Sequence, residues 1–329
     1  MKILHIGNKK NMEMYSPKND LYKSSEIIEM DLNASSKECL EKAGDAQVIV
    51  CDAIAKVDKE LIEGMPNLKM IHSEGVAYNL IDLQAASKQN VSVCNCASMN
   101  ASAVAEQTIY LMLACIKNGI KNHQAVLDGK QMDIKMNYMQ EANLMELSDF
   151  KIGLIGFGDI GKEVAKRLNG FGCDVYCTKR SPLTQVEQEE YNVTYLSQED
   201  LLKTCSMISL HLPVNSETEH MCNSSFFKGC NHTIFINTSR GELVEDEALL
   251  NALKNHQIEM AGIDTLDMEP VKKDHPVLSW PSEILDRVIL SPHIGGITRS
   301  SFQRGYQMIW ENIARLNEEQ SLKRVVNKI

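Results

Sequence analysis

The sequence predicts an α/β chain made of two doubly wound parallel-sheet domains. Three observations carry this expectation. Short apolar runs of strand length alternate with helix-like stretches in two successive series. A Gly-x-Gly-x-x-Gly sequence stands at the first strand-to-helix junction of the second series. A length of 329 residues exceeds one ordinary core and suits two domains of roughly 100–200 residues each.

The first series opens on Lys2-Ile3-Leu4-His5-Ile6-Gly7 and passes a helix-like stretch at 37–43 to reach Ala46-Gln47-Val48-Ile49-Val50. Strands are expected again at 68–72 and 91–94. The second series starts at 150–155 and continues through 175–177, 207–210, 233–237, 259–263 and 288–290. Between the two, residues 101–120 are apolar on nearly every side, with Val104, Ile109, Leu111, Met112 and Cys115. That pattern predicts a buried or interface-packed helix bridging the domains. The Met-rich stretch 132–145 reads as adaptable packing in an arm or linker. A helix-like run at 301–316 and the tail Val325-Val326-Asn327 follow after the second series is complete, so the chain is expected to cross back to the first domain. This places one domain at 1–98 plus 299–329 and the other at 99–298, with an interdomain cleft between them.

Composition narrows the class. With 43% hydrophobic and 24% charged residues the chain is globular, and no stretch approaches the ~18 consecutive apolar residues of a membrane span. The N-terminus has no secretory signal pattern. Ten cysteines, spread singly apart from Cys94 and Cys96, therefore read as reduced thiols of a cytoplasmic protein. No zinc-type spacing occurs, so no metal is expected. A formal net charge of -10 argues against nucleic acid and anionic membrane as partners. An anionic substrate then needs a local positive site.

Gly156-Phe157-Gly158-Asp159-Ile160-Gly161 follows the strand at 152–155 and opens a helix expected at 162–169. In a Rossmann unit the first glycine makes the tight turn, the second lets backbone approach the pyrophosphate, and the third allows close helix packing. The helix N-terminus then faces the phosphates with unpaired N–H groups. A glycine-rich turn without ligand is the alternative. The next strand leads not to the acid that holds the ribose of NAD but to Thr178-Lys179-Arg180-Ser181. Two cations flanked by hydroxyls suit the 2′-phosphate of NADP(H); a solvated basic turn is the other reading.

Three later segments each follow a strand of the second series: Thr238-Ser239-Arg240-Gly241, then Asp264 running on to Glu269-Pro270, then Ser291-Pro292-His293. Ligands of open α/β sheets bind at the carboxyl ends of strands. Taken singly, Arg240 reads as a surface cation, Glu269 as a solvated loop acid and His293 as a hydrogen-bonded core histidine. Together they form an arginine, a carboxylate and a histidine suited to polarising a carbonyl and moving a proton.

In this ordered set the chain resembles the D-isomer-specific 2-hydroxyacid dehydrogenase family. The resemblance rests on Leu68-Lys69-Met70-Ile71 leading to Glu74-Gly75-Val76-Ala77-Tyr78-Asn79-Leu80-Ile81-Asp82, on Asn95 and residues 100–106, on the glycine motif, on His211-Leu212-Pro213, and on the three segments above. It implies a flavodoxin-like substrate domain and a Rossmann nucleotide domain, hydride transfer between NAD(P)H and C2 of a small 2-keto or D-2-hydroxy acid, and a homodimer. Arg240 would bind the substrate carboxylate, His293 would donate or accept the proton, and Glu269 would orient His293. Val76, Ala77 and Asn100 would line the substrate site. Leu212, Pro213, Thr238, Ser239 and Asp264 would lie at the cofactor. Ala77 and Ala97 depart from the usual glycine and proline, and Lys179 stands where NAD enzymes place an acid, so NADP(H) is expected ahead of NAD(H). A glyoxylate or hydroxypyruvate type of reductase is favoured over phosphoglycerate dehydrogenase, whose regulatory extension is not matched. The alternative of a different class is a cofactor-sensing corepressor on the same scaffold.

Overall fold

The computed structural model describes residues 1–328. The chain divides into two compact units, one of Met1–Asn100 with the chain from Ile297 onward, the other of Ala101–Gly296.

Unit 1 holds five strands, β1 (Lys2–Ile6), β2 (Glu26–Met30), β3 (Val48–Cys51), β4 (Met70–Ser73) and β5 (Ser92–Cys94). All pair in parallel, in the order β2-β1-β3-β4-β5. This is the flavodoxin-like order. Period-2 alternation divides the strands between two cores. Leu4, Ile6, Ile49 and Ile71 meet Leu61, Ile62 and Ala85 on one face. Ile3, Val48, Val50 and Met70 meet Tyr306, Ile309, Trp310 and Ile313 of the last helix, Arg299–Asn317, on the other. Strands buried on both faces carry near-continuous apolar runs, as parallel sheets require. Behind them the tail docks on β5 through Val326 N–H to Val93 O at 2.8 Å and the Asn327 side chain to Val91 O at 2.9 Å.

Unit 2 holds β6 (Lys151–Ile155), β7 (Asp174–Thr178), β8 (Thr194–Tyr195), β9 (Met207–Leu210), β10 (Thr233–Asn237), β11 (Ile258–Ile263) and β12 (Val288–Leu290). They form one parallel sheet in the order β12-β11-β10-β9-β6-β7-β8. Counted within the unit, the first six strands follow the Rossmann order, and the topological switch lies between β6 and β9.

Two strands escaped the sequence reading. β2 is an edge strand, Glu-Ile-Ile-Glu-Met, whose charged positions break the apolar run, and β8 has only two residues. Edge strands need less apolar surface because one side remains solvated. The helix expected to bridge the domains, Ala101–Lys117, instead lies in the core of unit 2, where Leu111, Met112 and Cys115 pack with Ile236 and Ile289. It ends where Asn118 turns left-handed at φ 48°. The arm that follows, helices Gly119–Leu127 and Gln131–Glu141, buries no residue and exposes Val126, Leu127, Met132 and Met139. The ten cysteines are free and buried. Burial pushes the Cys94 and Cys205 thiols up to about 12, which keeps them protonated and unreactive. No helix among the described residues is long and apolar enough to cross a membrane.

Candidate active site

The glycine turn lies at the switch point of unit 2, and each glycine has a separate reason. Gly156 sits at φ +96°, and a Cβ there would lie 2.2 Å from His211 O at the end of β9. A Cβ on Gly161 would lie 2.6 Å from Gly156 O, so only glycine lets the helix Asp159–Gly170 start this close to the turn. Gly158 differs, because a Cβ there would meet nothing within 4 Å. It stands exposed as the helix N-cap, without a side-chain cap. An open approach to an uncapped helix N-terminus fits a dinucleotide phosphate. Asp159 is exposed and Ile160 half-buried in the first turn. Phe157 is 2% exposed and packs edge-on against Tyr191, so only its backbone is open to a ligand. Leu212 and Pro213 leave β9 beside Gly156, while the His211 ring is buried with neither nitrogen partnered. Burial alone holds that imidazole neutral, its pKa down to about 3.

At the end of β7, Thr178 is buried and its carbonyl accepts Gly156 N–H at 2.9 Å. Lys179 is half-buried, and Arg180 and Ser181 are exposed. The Arg180 guanidinium pairs with Glu217 at 3.4 Å on the surface. That acid lies beyond β9, and the sequence reading did not connect it with the basic turn.

The three loops after β10, β11 and β12 come together because the strand ends are in register, Asn237 beside Ile263 and Ile263 beside Leu290. His293 Nδ1 lies 2.5 Å from Glu269 Oε2. The other Glu269 oxygen accepts Leu266 N–H at 3.0 Å, which ties the acid to its own loop. His293 holds φ +54°, a left-handed conformation that an L residue adopts only under constraint. The constraint is Asp264, 2% exposed, whose main-chain oxygen takes His293 N–H at 2.8 Å. Its carboxylate accepts from Ser291 Oγ, Ile294 N and Gly295 N at 2.5, 3.1 and 2.9 Å. The Asp264 carboxylate thus holds the histidine loop, with Gln107 bracing Ser291 at 2.8 Å. Gln107 carried no sequence signal, and Ser291 stood in the histidine segment with no role of its own assigned.

Arg240 is exposed at the end of β10, its Nη1 donating to Ser239 O at 2.7 Å. The residues before it are anchored: Thr238 Oγ1 lies 2.9 Å from Thr108 Oγ1, and Ser239 Oγ donates to Leu210 O at 2.7 Å. Both hydroxyls are thus directed into the protein. Gly241 lies so close to the next loop that a Cβ would be 1.9 Å from Leu266 C and 2.0 Å from Asp267 N. This contact ties the arginine segment to the loop that carries Glu269.

In unit 1 the loop after β4 turns three successive carbonyls toward donors of the protein. The carbonyls of Gly75, Val76 and Ala77 accept from Cys96 N at 2.9 Å, Asn95 Nδ2 at 2.8 Å and Ser73 Oγ at 2.7 Å. These peptide bonds are trans, so each N–H points opposite to the preceding carbonyl. The N–H groups of Val76 and Ala77 therefore face away from those donors, and neither has an acceptor among the described residues. Successive free amides of this kind make a nest for an anion. Asn100 is half-buried at the end of this unit. Among the described residues no group of three His, Cys, Asp or Glu side chains is placed to hold a metal ion.

The family model "D-isomer specific 2-hydroxyacid dehydrogenase, NAD binding domain" matches residues 109–295. The chain is 32% identical over 291 residues to a glyoxylate reductase of Thermococcus litoralis, covering 88% of this chain and 86% of that protein. It is 30% identical over 307 residues to a hydroxypyruvate reductase of Thermotoga maritima, covering 92% and 94%. The structure of D-2-hydroxyisocaproate dehydrogenase superposes with a TM-score of 0.85 over the full length of both chains at 22% identity, a likeness of fold. Nothing in these comparisons favours a corepressor.

Proposed function

The chain belongs to the D-isomer specific 2-hydroxyacid dehydrogenase family, and from that premise we propose that it reduces small 2-keto acids of the glyoxylate and hydroxypyruvate type to D-2-hydroxy acids. The observation that carries this reading is the 2.5 Å contact between His293 Nδ1 and Glu269. With Nδ1–H donated to the carboxylate, Nε2 is the nitrogen left to transfer a proton, and the carboxylate holds the ring in that orientation.

Gly156, Gly158 and the first turn of the following helix would hold a nicotinamide cofactor, which when bound would supply the hydride for C2. The rest falls to side chains and backbone of this chain. Arg240 forks onto the substrate carboxylate and polarises the C2 oxygen. His293 gives that oxygen its proton, and Glu269 keeps the ring in one tautomer. Asp264 and Ser291 keep the histidine loop from relaxing. In unit 1 the N–H groups of Val76 and Ala77 offer a nest to the same class of anion, and Asn100 is assigned to substrate contact. Lys179 and Arg180 favour NADP(H) over NAD(H), with Thr178 and Ser181 as neighbouring hydroxyls. Glu217 competes for Arg180, which makes this preference a modest one.

We assign the protein to the cytoplasm, on its buried unpaired thiols, and to a homodimer, on the unburied apolar arm at 119–141. Reduction of glyoxylate, hydroxypyruvate and pyruvate followed by NADPH and NADH absorbance tests the activity. Absence of turnover on all three with both cofactors overturns the reading. Sedimentation of the protein as a monomer overturns the dimer.

A further inference from the structure

Unit 1 contains a buried charged network that the reaction as described does not use. His5 on β1 is fully buried, and its two ring nitrogens face two carboxylates, Glu29 on β2 through Nδ1 and Glu74 through Nε2 at 2.8 Å. Glu74, 6% exposed, also accepts the hydroxyl of Tyr306 from the last helix. Gly7 leaves room for the pair, since a Cβ there would lie 3.0 Å from His5 Nε2 and 3.4 Å from Glu74 Oε2. Four separate elements of the chain thus converge on one carboxylate and the imidazole beside it.

Stability alone is a poor reason for such a network. Taking a carboxylate and an imidazolium out of water is expensive, and well-packed apolar residues of similar volume often serve as well or better. What the network holds is the start of the anion nest. Glu74 directly precedes Gly75, and its own N–H is fixed to Cys51 O at 2.7 Å. With main chain and side chain both anchored, residue 74 sets the direction in which the peptides of Val76 and Ala77 leave β4. The hydrogen bonds from Ser73, Asn95 and Cys96 then hold the carbonyls inward. Gly75 runs close against Ala53, since a Cβ on it would lie 2.7 Å from Ala53 Cβ.

We propose that Glu74, clamped by His5 and Tyr306, is a positioning residue that sets the Val76 and Ala77 amides in the direction needed to receive a small carboxylate. The proposal rests on the reading of that loop as a carboxylate cradle. Its signature is selective: anion affinity depends on the clamp, while cofactor affinity does not, because the glycine turn belongs to unit 2.

The test uses Glu74→Gln and Tyr306→Phe in the full chain. Affinity for oxamate, a non-reducible carboxylate analogue of a small 2-keto acid, is measured by calorimetry with cofactor present. KM and kcat for glyoxylate, cofactor affinity and Tm are measured alongside. Loss of one hydrogen bond to a charged group predicts weaker oxamate binding and higher KM by about tenfold in Glu74→Gln, with kcat and cofactor affinity changed less than about threefold. Tyr306→Phe, which removes a single hydroxyl, shifts both in the same direction by a smaller factor and keeps the test decisive should Glu74→Gln fail to fold. Unchanged oxamate affinity in a folded variant overturns the proposal, even with a lowered Tm, and so does a fall in kcat at constant KM. Oxamate binding by the wild type without turnover of any 2-keto acid would instead count against the reductase reading and leave the clamp to be judged on affinity.

Discussion

Gly241→Ala is the substitution whose consequence is most directly set by geometry. The new Cβ would lie 1.9 Å from Leu266 C, 2.0 Å from Asp267 N and 2.2 Å from Leu266 O, all backbone atoms that no rotamer change can clear. Overpacking of this kind costs about 1–3 kcal/mol. To restore an ordinary contact, the 266–267 backbone must retreat by about 1 Å or more, since non-bonded carbons do not approach much inside ~3 Å. Glu269 is tied to Leu266 N–H at 3.0 Å and would be carried along. The same displacement opens its 2.5 Å contact with His293 to about 3.5 Å, beyond a useful hydrogen bond. Losing a hydrogen bond to a carboxylate is worth about 1.5–3 kcal/mol, so the reductive kcat/KM should fall by about tenfold to a hundredfold. The assay is steady-state reduction of glyoxylate, with Tm and cofactor affinity measured on the same sample. A variant with wild-type kcat/KM and an unchanged Tm would refute the claim that this glycine couples the arginine segment to the glutamate loop.

Other expectations can be checked with the same preparations. Arg240→Gln should lower kcat and raise KM together while cofactor affinity stays within about twofold, because the guanidinium acts on both substrate carboxylate and developing oxyanion; near-normal turnover would remove it from the site. In His293→Ala, reduction and oxidation should both lose most of their rate, and near-normal turnover in either direction would assign the proton transfer to another group. NADPH should give the higher kcat/KM at low salt, with the preference narrowing as salt rises and increasing in Glu217→Gln, which frees Arg180; indifference of wild type and variant alike to the 2′-phosphate would leave the basic turn as ordinary surface. His5 provides a stability test. Burial by itself lowers its pKa, but hydrogen bonds and charge from Glu29 and Glu74 outweigh this and raise it from 6.5 to about 9. A raised folded-state pKa stabilises fully below the unfolded value and is lost as pH climbs through the folded one. The Tm of the wild type should therefore fall between about pH 6.5 and 9, and that slope should be missing in His5→Gln; equal slopes would mean that the imidazole is not charged in the fold.

The sequence by itself determined both sheets in outline, ten of their twelve strands, the glycine turn and the arginine, glutamate and histidine segments. These are legible because they are local. A buried parallel strand needs an apolar run whatever its neighbours, and a left-handed turn such as that at Gly156 needs glycine wherever it occurs. The edge strand β2 was hidden for a related reason, since its charged positions belong to an environment that only the assembled sheet supplies. Tertiary structure alone decided which polar groups meet. Asp264 carries no sequence mark of its hold on residues 291–295, which follows from the parallel alignment of β11 with β12. Glu74 and Tyr306 lie 232 residues apart, and Arg180 finds Glu217 from beyond β9. Both pairings depend on chain topology, and for the buried Glu74 also on the low dielectric of the packed interior, which makes an unmet charge costly and a met one directional. Periodicity and composition record how each segment is buried, but not which distant segment will stand opposite it.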